Sequence, residues 1–154
     1  QATLRRNCVD DIEALKEQYL NHEFETKTFV VEAESLAEFA RSCGEVAPRF
    51  TDPNDGDFQA TPTWASSLAR GRNLPQGFPL FGGVPMDGGK DVVPIRPIRP
   101  GMQLTGRTHV HDIYTKTGRS GRMVFIISRM ELSSDDGEQV ATADTRLVIK
   151  EKKS

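Results

Sequence analysis

The 154-residue chain is short of cysteine, of net charge and of long apolar runs, and each shortage removes a class of protein. Two cysteines, Cys8 and Cys43, are too few and too far apart for a disulfide framework or a paired zinc-type ligand set, which favours a reducing compartment. Lysine and arginine (20) nearly balance aspartate and glutamate (22), leaving a net charge of −2. Such a chain projects no field toward nucleic acid or an anionic membrane surface, and neither partner is expected. No apolar run approaches the ~18 residues that a membrane span needs, and no signal-peptide pattern opens the chain. Provided that Gln1 is close to the native start, the expectation is a soluble cytoplasmic protein. Internal repeats and low-complexity tracts are also missing. The length suits one domain over residues 1–154, large enough for a core of its own.

What the chain does have is a run of strand signals in its last third. Leu104–Thr115 is rich in β-branched and aromatic residues, and Lys116–Gly121 (KTGRSG) is a turn cluster. Met123–Leu132 is a long apolar-rich strand, Asp135–Asp136–Gly137 is an Asp-Gly hairpin signal, and Val140–Ile149 alternates again. Strands of roughly ten residues exceed the usual ~5–6, which predicts a strongly curved sheet wrapped around something.

Upstream, Val9, Ile12, Leu15, Tyr19 and Leu20 recur at helical spacing, with Asp10 and Asp11 suitably placed in the first turn. His22–Val31 alternates Phe24, Thr26, Thr28 and Val30 against their neighbours and predicts a strand. Leu36, Phe39, Ala40 and Cys43 define one apolar face of a helix over Glu34–Cys43, with Gly44 at its stop. Glu45–Ala60 is a Pro/Asp/Gly loop, and Thr61–Arg70 predicts a short helix with Pro62 near its start. Gly71–Gly89 forms a second long loop. Asp91–Ile98 predicts a strand whose Pro94 and Pro97 confine it to an edge or a bulge. One apolar helix with several long antiparallel strands gives an α+β layer in which the sheet curls around the helix. Residues 1–20 form a helical extension and 150–154 a frayed tail. The arginine clusters Arg96–Arg99 and Arg119–Arg122 read either as solvated strand ends or as a phosphate-contacting rim.

In order, FVVEAESLAEFARSCGE, PRFTDPNDGDFQATPTW, MDGGKDVVPIRPIRPGMQLTG and the terminal hairpins from DIYTK to RLVI resemble the hot-dog fold of the MaoC-like dehydratases, specifically their FAS1-like N-terminal branch. The resemblance covers roughly Leu20 to Lys150. In the second segment Ala60, Thr61, Pro62 and Thr63 stand where that branch has an Ala-Pro-Pro-Thr-like helix start. The resemblance implies an acyl thioester on coenzyme A or acyl carrier protein, bound between two hot-dog units, with neither metal nor redox cofactor. Active members place Asp and His in a loop spaced Asp-x-Asn-Pro-x-His. A carboxylate and an imidazole must flank one water, because the water is deprotonated as it attacks and the α-carbon is protonated. A backbone amide near a helix start would steady the enolate-like oxygen.

Aligned by its flanks, the loop puts Glu45 at the Asp position, Ala47 at Asn, Pro48 at Pro and Phe50 at His. Only the proline is kept. Phe50 can neither take nor give a proton, and Glu45 is a methylene longer than Asp and lacks its partner. Other sources of the missing groups are weak. His109 and His111 lie two apart on one strand face with Asp112 on the other, but no third metal ligand sits at informative spacing. His22 precedes a strand, and Asp52, Asp55 and Asp57 read as turn chemistry.

The resemblance therefore implies a MaoC-like subunit of an enoyl-CoA hydratase or 3-hydroxyacyl-thioester dehydratase, without its own dyad and paired with a catalytic hot-dog unit. Two alternatives stay open. One is an autonomous thioesterase or divergent hydratase using Glu45 or Asp52. The other is a homodimeric protein that binds an acyl chain or apolar ligand without chemistry. For all of these, Trp64, Phe81 and Met86 are candidate tunnel or interface residues, with core packing an equal reading of Trp64. Arg119 and Arg122, or Arg96 and Arg99, are candidates for coenzyme A phosphates.

Overall fold

The computed structural model describes residues 8–71 and 73–152, and describes the backbone alone at residues 8–10. Helix α1 (Cys8–Tyr19) leads into strand β1 (Glu23–Val30), helix α2 (Ala33–Ser42) and the one-turn helix α3 (Pro48–Thr51). A 3-10 segment, Trp64–Leu68, precedes strands β2 (Pro85–Pro94), β3 (Gln103–Gly118), β4 (Gly121–Ser134) and β5 (Gln139–Lys150). The five strands form one sheet in the order β1-β3-β4-β5-β2, with every pairing antiparallel.

Alternation along the three long strands sends one set of residues to a single face. Leu104 and Val110 of β3, Val124, Ile126, Met130 and Leu132 of β4, and Ala141, Ala143, Leu147 and Ile149 of β5 are all buried there. Two apolar lobes cover that face. At one end α2 brings Leu36 and Ala37 against Leu104, Met130, Leu132, Ala141 and Ala143, joined by Phe58, Trp64 and Ile98. At the other end Ile12, Leu15 and Tyr19 of α1, with Phe78, pack on Val110, Ile113, Val124, Ile126, Leu147 and Ile149. Between the lobes runs a belt of buried hydroxyls, Thr108, Ser128 and Thr145. The Ser128 hydroxyl donates to the Asn73 carbonyl, and Lys90 Nζ donates to Thr145 Oγ1 at 3.0 Å. The α+β layer expected from the patterning is therefore present.

Several boundaries differ from expectation for identifiable reasons. The Lys116–Gly121 cluster is not a long turn, because pairing continues to Gly118↔Gly121 and only Arg119 and Ser120 bridge the strands. β2 begins at Pro85, inside the expected loop, and ends at Pro94 rather than Ile98. Gly88 and Gly89 lie within its bulge between Asp87 and Lys90. A side chain on Gly88 would meet Val148 Cγ2 at 2.6 Å, so density of glycine here marks close approach rather than a loop. β2 is an outermost strand, as its prolines predict.

The expected helix over Thr61–Arg70 is reduced to 3-10 geometry. The Ser66 and Ser67 hydroxyls donate to the Thr63 and Trp64 carbonyls at 2.8 and 2.7 Å, satisfying the carbonyls three residues back. In β1 an irregularity between Glu23 and Glu25 turns both Phe24 and Phe29 toward the core, while Val30 points out at 59% exposure. Cys43, expected on the apolar face of α2, is exposed. Lys150 belongs to β5, and the amides of Glu151 and Lys152 bond the carbonyls of Arg122 and Phe81 at 3.1 Å each. The expected extension at 1–7 and the end of the tail at 153–154 lie outside the described residues.

Candidate active cleft after helix α2

The end of α2 is built to deliver the loop that follows. Glu45 N–H bonds the Ala40 carbonyl and Gly44 N–H the Arg41 carbonyl, both at 3.0 Å, with Gly44 at φ 78°. This pairing closes the helix through a left-handed residue that glycine adopts without steric cost. Glu45 then turns back on its own loop. Its Oε1 accepts the amides of Val46 and Ala47 at 2.9 and 3.0 Å, just where Pro48 starts α3. These two amide bonds, the Ala47 one foremost, hold the Glu45 carboxyl below its ordinary range. Phe50, on α3, is buried, and the Arg49 guanidinium lies 4.7 Å from its ring centre.

Phe50 forms one wall of a cleft of about 300 Å³. Gln59–Pro62, Ala65, Ala141 and Pro94–Ile98 also line it, and among the described residues its ionisable side chains are Arg49 and Arg96. The loop over it is stitched down by Gln59 N–H to the Arg49 carbonyl (2.9 Å) and Ala60 N–H to the Ile98 carbonyl (2.8 Å). Arg99 secures the same loop, bonding Asp57 Oδ1 at 2.9 Å and the Phe58 carbonyl at 3.2 Å. That contact holds the Asp57 carboxyl below its usual range. Arg96 pairs with Glu138 at 3.3 Å and Asp136 at 3.6 Å. The Thr61 hydroxyl is buried in the cleft wall without a hydrogen-bond partner among the described residues.

Among the described residues lining this cleft there is no histidine, aspartate or glutamate. The position expected for an imidazole carries a benzyl group, and the one for aspartate carries a carboxylate already engaged by two amides. Asp52 and Asp55 accept the amides of Asn54 and Asp57 at 2.9 Å each, which is turn chemistry. The sequence reading missed Arg49, Ile98 and Ala141 as cleft residues. It also missed Thr61, whose one signal is that it stands where the Ala-Pro-Pro-Thr pattern has proline.

The other candidate binding residues do not gather here. Trp64 is buried in the core beneath α2. Phe81 packs on the far lobe with a left-handed φ of 51°, and the Arg122 guanidinium lies 5.8 Å from its ring centre. Arg122 is largely buried and reaches Glu151 at 3.7 Å. Arg119 forms the adjoining hairpin tip, and Met86 lines an open hollow with Ser120, Lys150 and Lys152. Arg96 is thus at the α2 cleft, whereas Arg119 and Arg122 are at the opposite lobe.

His109 and His111 stack edge to face, 5.6 Å apart, in a polar hollow on the outer face with Arg129 and Glu131. Contrary to expectation, Asp112 shares that outer face with His109. An irregularity between Val110 and Asp112 sets Asp112 opposite Ile127, while His109 sits opposite Arg129. Among the described residues no group of three or more His, Cys, Asp or Glu could hold a metal, and no helix is long and apolar enough to cross a membrane.

A family model described as "FAS1-like, dehydratase domain region" matches residues 18–143. The chain belongs to this family, and the match begins at the last turn of α1. No curated protein sequence matches it significantly. Among solved structures, the MaoC-like dehydratase from Rhodospirillum rubrum is 20% identical over 91% of this chain and 98% of that one, with a TM-score of 0.62. A chain of the ChsH1–ChsH2 complex from Mycobacterium tuberculosis is 19% identical over 95% of each, with a TM-score of 0.67. One from the truncated HadBC (3R-hydroxyacyl-ACP dehydratase) complex of the same organism is 24% identical over 82% of this chain and 92% of that one, with a TM-score of 0.60. With the sheet order and the helix on its face, these likenesses show an α+β hot-dog fold, shared with structures described as MaoC-like dehydratases.

Proposed function

We propose that this chain is a non-catalytic, acyl-thioester-binding hot-dog unit of a hydratase or dehydratase, and that a second unit carries the Asp/His pair. Phe50 carries the reading. It stands at the imidazole position and lines the cleft, so the cleft keeps its apolar wall and loses the group that would relay protons. Glu45 offers no substitute base, since its amide bonds favour the ionised form and lower its basicity.

A second unit is supported by the edge of the sheet. β2 is outermost and exposes Met86 and Val93, while the flanking Val84 and Ile95 are also exposed. β2 also carries Asp87, Lys90 and Asp91, so it is this row of exposed apolar side chains, rather than a bare backbone edge, that favours a covering partner. Pro94 ends β2 and Ile95 follows it, and both line the cleft, so a chain pairing along β2 would also wall the binding site. Two of the structures similar to this chain are described as complexes of distinct components. A longer MaoC-like dehydratase, of which the matched part is 43%, has the same fold within one chain, with a TM-score of 0.69.

The purified chain should bind a medium-chain acyl-CoA and show no hydration of an enoyl-CoA. Co-expression with a hot-dog unit bearing Asp-x-Asn-Pro-x-His should give a stable, active complex. Robust turnover by the isolated chain would overturn the proposal, and a homodimer with co-purifying ligand would transfer it to the binding-protein alternative.

A further inference from the structure

We infer that the Thr61 hydroxyl is the donor that holds the carbonyl oxygen of the acyl ligand. This rests on the reading of the α2 cleft as an acyl-thioester site. Thr61 is 8% exposed, and its Oγ1 has no partner among the described residues. Its backbone carbonyl is occupied, accepting the Trp64 amide at 3.1 Å, but the side chain closes no such bond. Burying a hydroxyl unpaired is costly, and such groups are rare enough in folded proteins to call for an absent partner.

The cleft narrows what that partner can be. Phe50, Ala60, Ala65, Ile98 and Ala141 offer only van der Waals contact beside it, and Gln59, the other neutral polar side chain of the lining, already donates its amide N–H groups to Asp57. A carboxylate would enter as a buried charge and require charged or multiple donors. Of the two cations at the site, Arg96 is paired with Glu138 and Asp136, while Arg49 is exposed at the rim over the Phe50 ring. A single neutral donor, free to rotate toward its acceptor, suits a single neutral carbonyl. A proline, as in the Ala-Pro-Pro-Thr pattern, could not donate there, so this contact comes from the side chain of this chain alone.

The test compares two probes, octanoyl-pantetheine and the octyl thioether of pantetheine, which lacks the carbonyl, by titration calorimetry on the full chain. The wild-type chain should bind the thioester roughly fivefold more tightly, the worth of one hydrogen bond of about 1 kcal/mol. Thr61→Val, equal in shape, should bind both probes alike, and Thr61→Ser should keep the preference. The melting temperature of ligand-free Thr61→Val should exceed that of wild type, because the unpaired hydroxyl is gone. Equal binding of both probes by the wild type, or a preference that survives Thr61→Val, overturns the Thr61 assignment and leaves the acyl cleft standing. Binding of neither probe sinks the acyl-cleft reading and this inference with it. A lower melting temperature for Thr61→Val shows a hydroxyl already satisfied and also counts against the assignment. If the valine variant fails to fold, the wild-type comparison of the two probes decides alone.

Discussion

At the scale of single residues, the proposed non-catalytic role turns on Phe50 and Glu45. Phe50 is 9% exposed on a one-turn helix, and Glu45 is fastened to the amides that lead into that helix. Replacing the ring with imidazole would return the proton-accepting group without freeing the carboxylate it must work with. Phe50→His should therefore yield no hydratase turnover in the isolated chain. It should also cost about 1–3 kcal/mol in urea denaturation, because a polar ring enters an apolar wall. Appearance of turnover from this one change would show that Glu45 is freer than its bonds imply. The sequence sets Phe50 at the position expected for histidine once Gly44 and Thr51–Asp52 are used to align the loop. Thr61 was visible only as a departure from a pattern, since nothing in a sequence reports that a hydroxyl lacks a partner.

At the scale of elements, β1 and the three long strands were legible, while the edge strand β2 and the one-turn helix α3 were not fully so. β-branched and aromatic alternation over ten or more residues leaves little ambiguity, and β3, β4 and β5 run a few residues beyond their expected ends. α3 spans four residues, too few for any periodicity to register. β2 was half hidden because the same prolines and glycines that make loops also permit an edge strand with a bulge. That edge carries its own prediction. Met86 pairs with Val148 and Val93 with Thr142, so both point to the outer face, each half exposed. Met86→Lys combined with Val93→Lys should leave the melting transition of the free chain within ~0.5 kcal/mol of wild type per change. The same substitutions should weaken association with a second hot-dog unit at least tenfold, or ~1.4 kcal/mol, in analytical ultracentrifugation. Unchanged association would place the partner elsewhere.

For the whole molecule, acid stability should fall in two stages. Burial holds the His109 imidazole below its ordinary 6.5, with Glu131 pulling the other way and His111 and Arg129 adding to the depression. As pH drops beneath that ordinary value the unfolded chain takes up this proton first, so stability declines until folded His109 also protonates. Asp57, held down chiefly by Arg99, and Asp136, held down chiefly by the Ser134 hydroxyl, begin their own loss only below their ordinary 3.8. Urea midpoints measured across about pH 8 to 3 should show both stages, and His109→Gln should remove the upper one alone. A profile unaltered by that substitution would mean that His109 titrates normally. No reading of the sequence could supply this behaviour, because the depression comes chiefly from burial of His109 in the folded sheet.

The strand order has a consequence in time. β3, β4 and β5 are consecutive in the chain and joined by tight turns, so their contacts close short loops and can form early. β1 must find β3 from more than seventy residues away, and β2 must reach β5 across the whole meander. The topology thus predicts that the two outer strands dock last during folding. If a second unit pairs along β2 as proposed, it can do so only after the meander exists, which orders assembly after folding rather than in competition with it.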